Sequence, residues 1–150
     1  MNQTRLLKSL AIGFIAGGAG TTALTAAMRL ETRVTGPNHS QEKKEVPTEA
    51  VEKTTGVEFE DNQSASKAVH WTYGSAWGEF RVLLDALGVR GSKASLIHFA
   101  AITQGASVVS AALGIEPWPT EMPCAKLLSQ TLNPLFYALV AGVVYDALNP

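Results

Sequence analysis

The sequence predicts an all-α protein, a four-helix transmembrane bundle with a long polar loop between helices 1 and 2. Three observations favour this fold. Apolar residues make up 46% of the 150 residues and charged residues only 17%, against about 25% charged in typical soluble domains. The acidic residues are concentrated in one polar segment. One apolar stretch precedes that segment and three follow it, each about as long as the 20 residues that cross a bilayer as a helix.

Helix 1 is predicted over residues 8–29, because about 19 consecutive residues in this range carry no charge. Gly13 and Gly17 are four residues apart, a spacing that lets two helix backbones approach closely in lipid. The alternative for residues 1–27 is a cleaved secretory signal peptide, since the start is basic and small residues follow the apolar run. The length of that run and its glycines favour the membrane helix.

A polar loop is predicted at residues 30–66, which hold eight of the 13 acidic residues. Within the loop, residues 47–54 are typical of a short surface helix, because Pro47 can occupy the first helical position and Glu49 the first turn. Residues 58–66 are predicted to be turn-like or disordered. The loop is therefore the freely solvated part of the predicted bundle.

Helix 2 is predicted over residues 67–87, and we expect it to be the inner helix against which the other three pack. It carries Gly74 and Gly78 in a second G-x-x-x-G spacing. It also carries three charges that a lipid-facing helix tolerates poorly. These are Glu79, Arg81 and Asp85.

Helices 3 and 4 are predicted over residues 94–113 and 127–148, separated by a proline-rich connection that excludes a helix. Pro134 leaves two alternatives for helix 4. Either Asn133 caps a shorter helix of about 15 residues, or one longer helix continues through Pro134. The sequence favours five small residues as helix-packing positions. They are Gly13, Gly17, Gly74, Gly78 and Gly142.

Basic residues near the ends of the spans predict the orientation of the bundle. Arg5 and Lys8 flank the start of helix 1, and Arg90 and Lys93 lie between helices 2 and 3. The long loop is acidic instead. We therefore expect both termini and the second loop to face the cytoplasm, and the long loop to face outward.

The stretch His70–Gly78, HWTYGSAWG, resembles an H-W-x-Y-G-x-x-W-G run of small, uncharacterised bacterial inner-membrane proteins with four predicted helices. Residues 16–21, AGGAGT, followed by Met28 and Glu31, are similar to the start of those proteins. The resemblance covers roughly half of the chain. It implies a bacterial inner-membrane location and carries no known activity or functional residues.

A candidate functional polar cluster lies on helix 2 and consists of Glu79, Arg81, Asp85, His70 and Tyr73. Arg81 and Asp85 are four residues apart and can pair along the helix. Glu79 is turned from Arg81 by about 200°. We therefore expect Glu79 to be buried and to hydrogen-bond to another helix, either as a packing contact or as part of a proton or cation site.

Five side chains on the other helices are candidate partners for the Glu79 carboxylate. They are Thr21, Thr22, Thr103, Gln104 and Tyr137.

Two histidines raise the question of a haem. His70 and His98 are predicted at depths that differ by roughly 20 Å, too far apart to ligate one iron within the chain. His70 is expected to hydrogen-bond locally. Tyr73 shares a helix face with His70 and Trp77, so that face is where a ligand pocket would lie.

The sequence contains no motif for catalysis, for a cofactor or for a metal. A net charge of −1 gives no electrostatic support for nucleic-acid binding, and the single cysteine, Cys124, has no second cysteine to pair with. The leading hypothesis is a small integral membrane protein of structural or accessory type, with the lipid bilayer and a second copy or another membrane protein as partners.

Three alternatives remain open at this point. The first is an oligomeric module for ion or small-solute transport that uses Glu79 and the Arg81/Asp85 pair. The second is a membrane enzyme that uses Glu79 or His70. The third is a soluble helical bundle, because charged residues interrupt helix 2.

Overall fold

The computed structural model describes residues 3–35, 46–59 and 63–149. All regular structure in these residues is helical, which confirms the all-α prediction. A short 3-10 helix, Pro119–Glu121, precedes the last of five α-helices. The five are α1 Gln3–Thr35, α2 Val46–Thr55, α3 Gln63–Ala86, α4 Gly91–Ala112 and α5 Cys124–Leu148.

The predicted polar loop is shorter than residues 30–66. Helix α1 continues to Thr35 and α3 already begins at Gln63, so residues 63–66 are helical and the prediction of a turn there is wrong. Once a helix is nucleated, each further residue costs little, and no proline or glycine stops either helix in these positions. The short helix expected at 47–54 is present as α2. Residues 56–59 have no regular structure. The rest of the loop, residues 36–45 and 60–62, lies outside the described residues.

Helix α5 is continuous from Cys124 to Leu148, with Pro134 inside it. The shorter helix capped by Asn133 is therefore wrong, and the longer alternative is right. Proline lacks an N–H group, so Pro134 removes one backbone hydrogen bond from the helix. Helix α4 likewise begins three residues before the predicted start, directly after a turn in which Gly88 adopts a φ of 76°.

Three helical segments are long and apolar enough to cross a membrane: Leu6–Val34, Gly91–Ala112 and Cys124–Leu148. Helix α3, at 24 residues, is long enough to cross a membrane, but its composition is not apolar enough. Its four charges include the three of the candidate polar cluster, and Lys67 near its start. The described residues therefore contain three helices compatible with a membrane protein, where the sequence predicts four.

Helix α1, and not α3, occupies the centre of the bundle. It packs against α3 along one side and against α5 along another, while α4 packs mainly on α5. Gly13 and Gly17 lie at Gly78 and Ser75 of α3, so α3 runs antiparallel to α1. Gly20 and Glu31 lie at Tyr137 and Asn133 of α5, so α5 is antiparallel to α1 as well. The prediction of α3 as the inner helix is wrong because α1 has small residues on two faces, and Ala16 is fully buried there.

These directions place the start of α1, the α3–α4 turn and the end of α5 at one end of the bundle, which we call the terminal end. Helix α2 and the α4–α5 connection lie at the other, the α2 end. There, Lys53 Nζ of α2 donates to the carbonyl oxygens of Leu113 and Gly114, at 2.9 and 3.3 Å. A cation at the C-terminus of α4 satisfies carbonyl groups that have no partner within the helix.

Candidate functional site

Helices α1 and α3 cross through four glycines. A Cβ atom added at Gly78 would overlap the carbonyl oxygen of Gly13 and lie 2.6 Å from the amide nitrogen of Gly17. A Cβ atom at Gly17 would overlap the carbonyl oxygen of Ser75. The two G-x-x-x-G spacings noted in the sequence thus lie against each other, and the two backbones are in direct contact.

One turn further along, Gly74 joins three helices. A Cβ atom there would overlap the Thr21 hydroxyl of α1, and the Tyr137 hydroxyl of α5 donates to the Gly74 carbonyl oxygen. Gly142 lies at a different contact. A Cβ atom at Gly142 would overlap Ser95 Oγ of α4 and lie 3.7 Å from the guanidinium carbon of Arg81.

Arg81 is buried, with 1% of its side chain exposed, and it pairs with Asp146 of α5. Its Nη2 donates to both carboxylate oxygens, at 2.8 and 3.0 Å, and its guanidinium carbon lies 5.9 Å from the centre of the Tyr145 ring. The predicted Arg81–Asp85 pair is therefore wrong. Arg81 points between α4 and α5 beside Gly142, where the carboxylate within reach is that of Asp146.

Asp85 belongs to a second, more solvated group at the terminal end. It forms an ion pair with Arg90, whose side chain is 67% exposed, and it accepts a hydrogen bond from Asn149 Nδ2 at 3.1 Å. Asp85 therefore ties the α3–α4 turn to the end of α5.

Glu79 is half-buried, and its Oε2 makes no hydrogen bond within the described residues. The expected donors are engaged elsewhere or turned away. Thr21 and Thr22 each donate to a carbonyl oxygen one turn earlier in α1, at 2.9 Å, which threonine in a helix commonly does. Tyr137 donates to Gly74. The predicted hydrogen bond from Glu79 to another helix is therefore wrong.

The other two candidates also fail to supply that bond. Thr103 Oγ1 is buried without a hydrogen-bond partner in the described chain, and Gln104 is exposed.

His70 and Tyr73 do not converge on one site. His70 Nε2 lies 3.3 Å from Thr25 Oγ1 of α1, whereas Tyr73 is 41% exposed and makes an edge contact with Trp77. The five residues of the candidate polar cluster are thus distributed over three places: the Arg81–Asp146 pair and Asp85 near the terminal end, His70 against α1, and Tyr73 with Glu79 on the outer side of α3.

His98 was considered for a haem, but its surroundings were not foreseen. It is fully buried, with ring centres of Trp77, Phe80 and Tyr137 at 5.6–6.4 Å. Neither ring nitrogen makes a hydrogen bond to the part of the chain that the structure describes. Trp77 and Phe80 lie seven to ten residues from His70, which is about 10–15 Å along α3 and less than the separation expected from the sequence.

Asp146 is the partner that sequence reasoning missed. The available signal was a lone acid in the last apolar helix together with a lone arginine in α3, since buried charges of opposite sign tend to pair. The local i, i+4 spacing of Arg81 and Asp85 obscured it.

Two pockets of the described residues are open surface grooves. One lies between α2 and the α4–α5 turn, lined by acidic residues and Lys53. The other runs along the outer side of α3. No group of three metal-ligating side chains lies together in the described ranges, and Cys124 is exposed at the start of α5.

No protein-family model, no curated protein and no solved structure matches the chain.

Proposed function

We propose that this chain is a small integral protein of the bacterial inner membrane with a structural or accessory role, built as a four-helix transmembrane bundle. The observation that carries the proposal is the crossing of α1 and α3 through Gly13, Gly17, Gly74 and Gly78. In lipid, helices gain little from the hydrophobic effect and associate through close backbone packing of small residues. The crossing is the kind of contact by which a membrane helix is held without a core of large side chains.

The pairing of Arg81 supports α3 as the fourth span. A charge at mid-bilayer costs about 2.5–3.5 kcal/mol on insertion scales, so α3 would insert poorly alone. Beside α1 and α5, however, Arg81 is enclosed and bonded to Asp146. Helices α1, α4 and α5 are apolar enough to insert by themselves, and α3 then joins them.

The proposed orientation rests on the short α3–α4 turn, which carries Arg90 and Lys93 and lies at the same end as Lys8. The α2 end also carries basic residues, among many acidic ones: Arg29, Arg33, Lys53, Lys67 and Lys126. Because basic residues are retained on the cytoplasmic side, both termini would be cytoplasmic and α2 would lie outside.

Transport by an oligomer is the second candidate, and Glu79 is the observation that favours it. A half-buried carboxylate with an unbonded oxygen is the type of group that binds a proton or cation in membranes. The Arg81/Asp85 pair no longer contributes to this candidate, because Arg81 is buried against Asp146 and Asp85 is bonded to Arg90.

Reconstitution separates the two candidates. The purified chain is inserted into lipid vesicles under an imposed potential, and proton flux is followed with a pH-sensitive dye and potassium flux with a potassium-sensitive dye. We expect vesicles that contain the wild type or Glu79→Gln to show the same flux as vesicles without protein. A wild-type flux that Glu79→Gln abolishes would replace the accessory role by transport, and release of the chain by alkaline carbonate would contradict membrane insertion itself.

A further inference from the structure

The outer side of α3 is left uncovered by the other helices. We call this surface the open face, and it is a shallow groove of about 410 Å³. Leu83 and Tyr73 on it are 51% and 41% exposed. Its lining residues are Tyr73, Ala76, Trp77, Glu79, Phe80 and Leu83.

Glu79 makes the open face unsuitable for lipid. Its Oε2 is buried beside Gly13 of α1 and has no hydrogen-bond donor in the described chain. A carboxylate that loses water without gaining a donor is strongly unfavourable, and intramembrane acids are usually paired or line a wet cavity. None of the five donors expected inside the bundle bonds to Glu79, as shown above, so the described part of the chain leaves this carboxylate a place for a donor from a partner.

We propose that the open face binds one transmembrane helix of a partner protein, and that an arginine or lysine of that helix pairs with Glu79. The inference rests on the proposed membrane location. Ala76 lies between the larger Tyr73 and Phe80 and leaves room for a ridge of side chains from the incoming helix. An apolar groove with a single acid matches an apolar helix with a single base.

A second copy of the chain offers one exposed base near that level, Lys93, which lies two residues before Ser95 on the side of the terminal end. Gly13, Ser95 and Gly142 mark the level of Glu79 and Arg81 on the other helices, and the exposed side chains directly next to them in the described chain are apolar. A copy inserted in the same orientation would present these apolar side chains or a second Glu79 at that level, and two carboxylates repel each other. The apolar neighbours are Phe14, Ile15, Leu96, Ile97 and Val143.

The test uses a synthetic transmembrane peptide as the partner. A 24-residue leucine–alanine helix carries one central arginine, and a matched peptide carries leucine instead. The full chain is labelled at its exposed Cys124, and energy transfer to the labelled peptide is measured in phosphatidylethanolamine–phosphatidylglycerol vesicles. We expect the arginine peptide to bind at least about tenfold more tightly than the leucine peptide, and Glu79→Gln to reduce this preference to less than about twofold.

Two alanines provide a matched pair of surface variants. Ala76→Phe fills the groove and should weaken binding of the arginine peptide by about tenfold. Ala100→Phe adds the same side chain at an exposed position of α4 and should leave binding unchanged. Equal effects of the two substitutions would overturn the open face as the binding surface.

Other results would also overturn the proposal. Equal binding of both peptides to the wild type would exclude a basic partner. A second copy would be the occupant if two results came together. Energy transfer would occur between copies of the chain and be abolished by Glu79→Gln, and the chain would show no preference for the arginine peptide. Carbonate extraction of the same vesicles tests insertion separately, so an inserted chain without that preference refutes this inference and leaves the proposed function standing.

Discussion

Arg81 is the residue on which the polar interior of this bundle depends. A buried guanidinium group is tolerated when a carboxylate and further hydrogen bonds compensate its lost hydration. Asp146 supplies that carboxylate from a helix 65 positions later in the chain, and Tyr145 places its ring beside the charge. The pair therefore links α3 to α5.

Removing Asp146 should destabilise the protein more than removing Asp85. Asp146→Ala leaves the enclosed Arg81 guanidinium without its carboxylate, and we expect a loss of about 2–4 kcal/mol in the free energy of unfolding, although the Asp146 side chain is itself 42% exposed. Asp85→Ala removes a pair whose arginine is 67% exposed, and we expect about 1 kcal/mol or less. Unfolding in mixed micelles measures both. Equal losses would show that water reaches Arg81 freely.

At the scale of elements, the position of α3 is determined by backbone contact and not by large side chains. The glycines of α1 and α3 bring the two helices close enough for Gly78 to touch Gly13. At such a contact any side chain requires the helices to separate, because the atoms it meets are backbone atoms.

Gly78→Ala should therefore behave opposite to Gly105→Ala. At Gly78 the added methyl overlaps the Gly13 carbonyl oxygen, and we expect a loss of about 1–3 kcal/mol from overpacking. At Gly105 of α4 the methyl meets Trp77 at an ordinary 3.5 Å, and the higher helix propensity of alanine should make the change neutral or stabilising by up to about 1 kcal/mol. Thermal unfolding in mild detergent gives both values. A stable Gly78→Ala protein would contradict the close crossing.

Helix α2 packs on α3, where Thr48 is fully buried, and Lys53 bonds it to the end of α4. Lys53→Met removes the donors to the Leu113 and Gly114 carbonyl oxygens, and should raise amide hydrogen exchange in α2 and at residues 113–116. Because the contact is exposed, global stability should fall by less than about 1 kcal/mol. Lys67→Met, at an exposed position of α3, is the control and should leave this exchange unchanged. Unchanged exchange in Lys53→Met would mean that α2 is held by other contacts.

At the scale of the whole molecule, the packing directions place two positions suitable for cysteine labelling at opposite ends of the bundle. Cys124 is exposed at the α2 end, and Arg90 lies in the turn at the terminal end. In membrane vesicles of known orientation, Cys124 should react with a membrane-impermeant maleimide from the outside. In a Cys124→Ser background, Arg90→Cys should react from the cytoplasmic side. Labelling of both from one side would overturn the four-span topology.

Much of the helical content was predictable from the sequence, because it depends on local properties. Apolar stretches of sufficient length predicted α1, α4 and α5, and Pro47 with Glu49 predicted α2. Helix boundaries were less predictable. Residues 30–35 and 63–66 are polar, but they extend helices that are already nucleated, and polarity alone does not end a helix.

The partners of the charged residues were not predictable, because they depend on which helices become neighbours. Local spacing favoured Asp85 for Arg81, yet the Arg81 side chain faces α5 and meets Asp146. The same dependence explains Glu79. Three of its five expected donors, Thr21, Thr22 and Tyr137, bond to backbone carbonyl groups instead.

The sequence by itself determined the helical class, the three apolar segments and the small residues at which helices can approach, since composition and short-range spacing encode these. Only the tertiary structure decided that α1 is the central helix, that Gly13 meets Gly78 and that the enclosed Arg81 pairs with the exposed Asp146. These features arise when antiparallel packing brings residues from distant parts of the chain to the same level. No local periodicity records that level. The resulting packing leaves Glu79 on the open face without a hydrogen-bond donor among residues 3–35, 46–59 and 63–149.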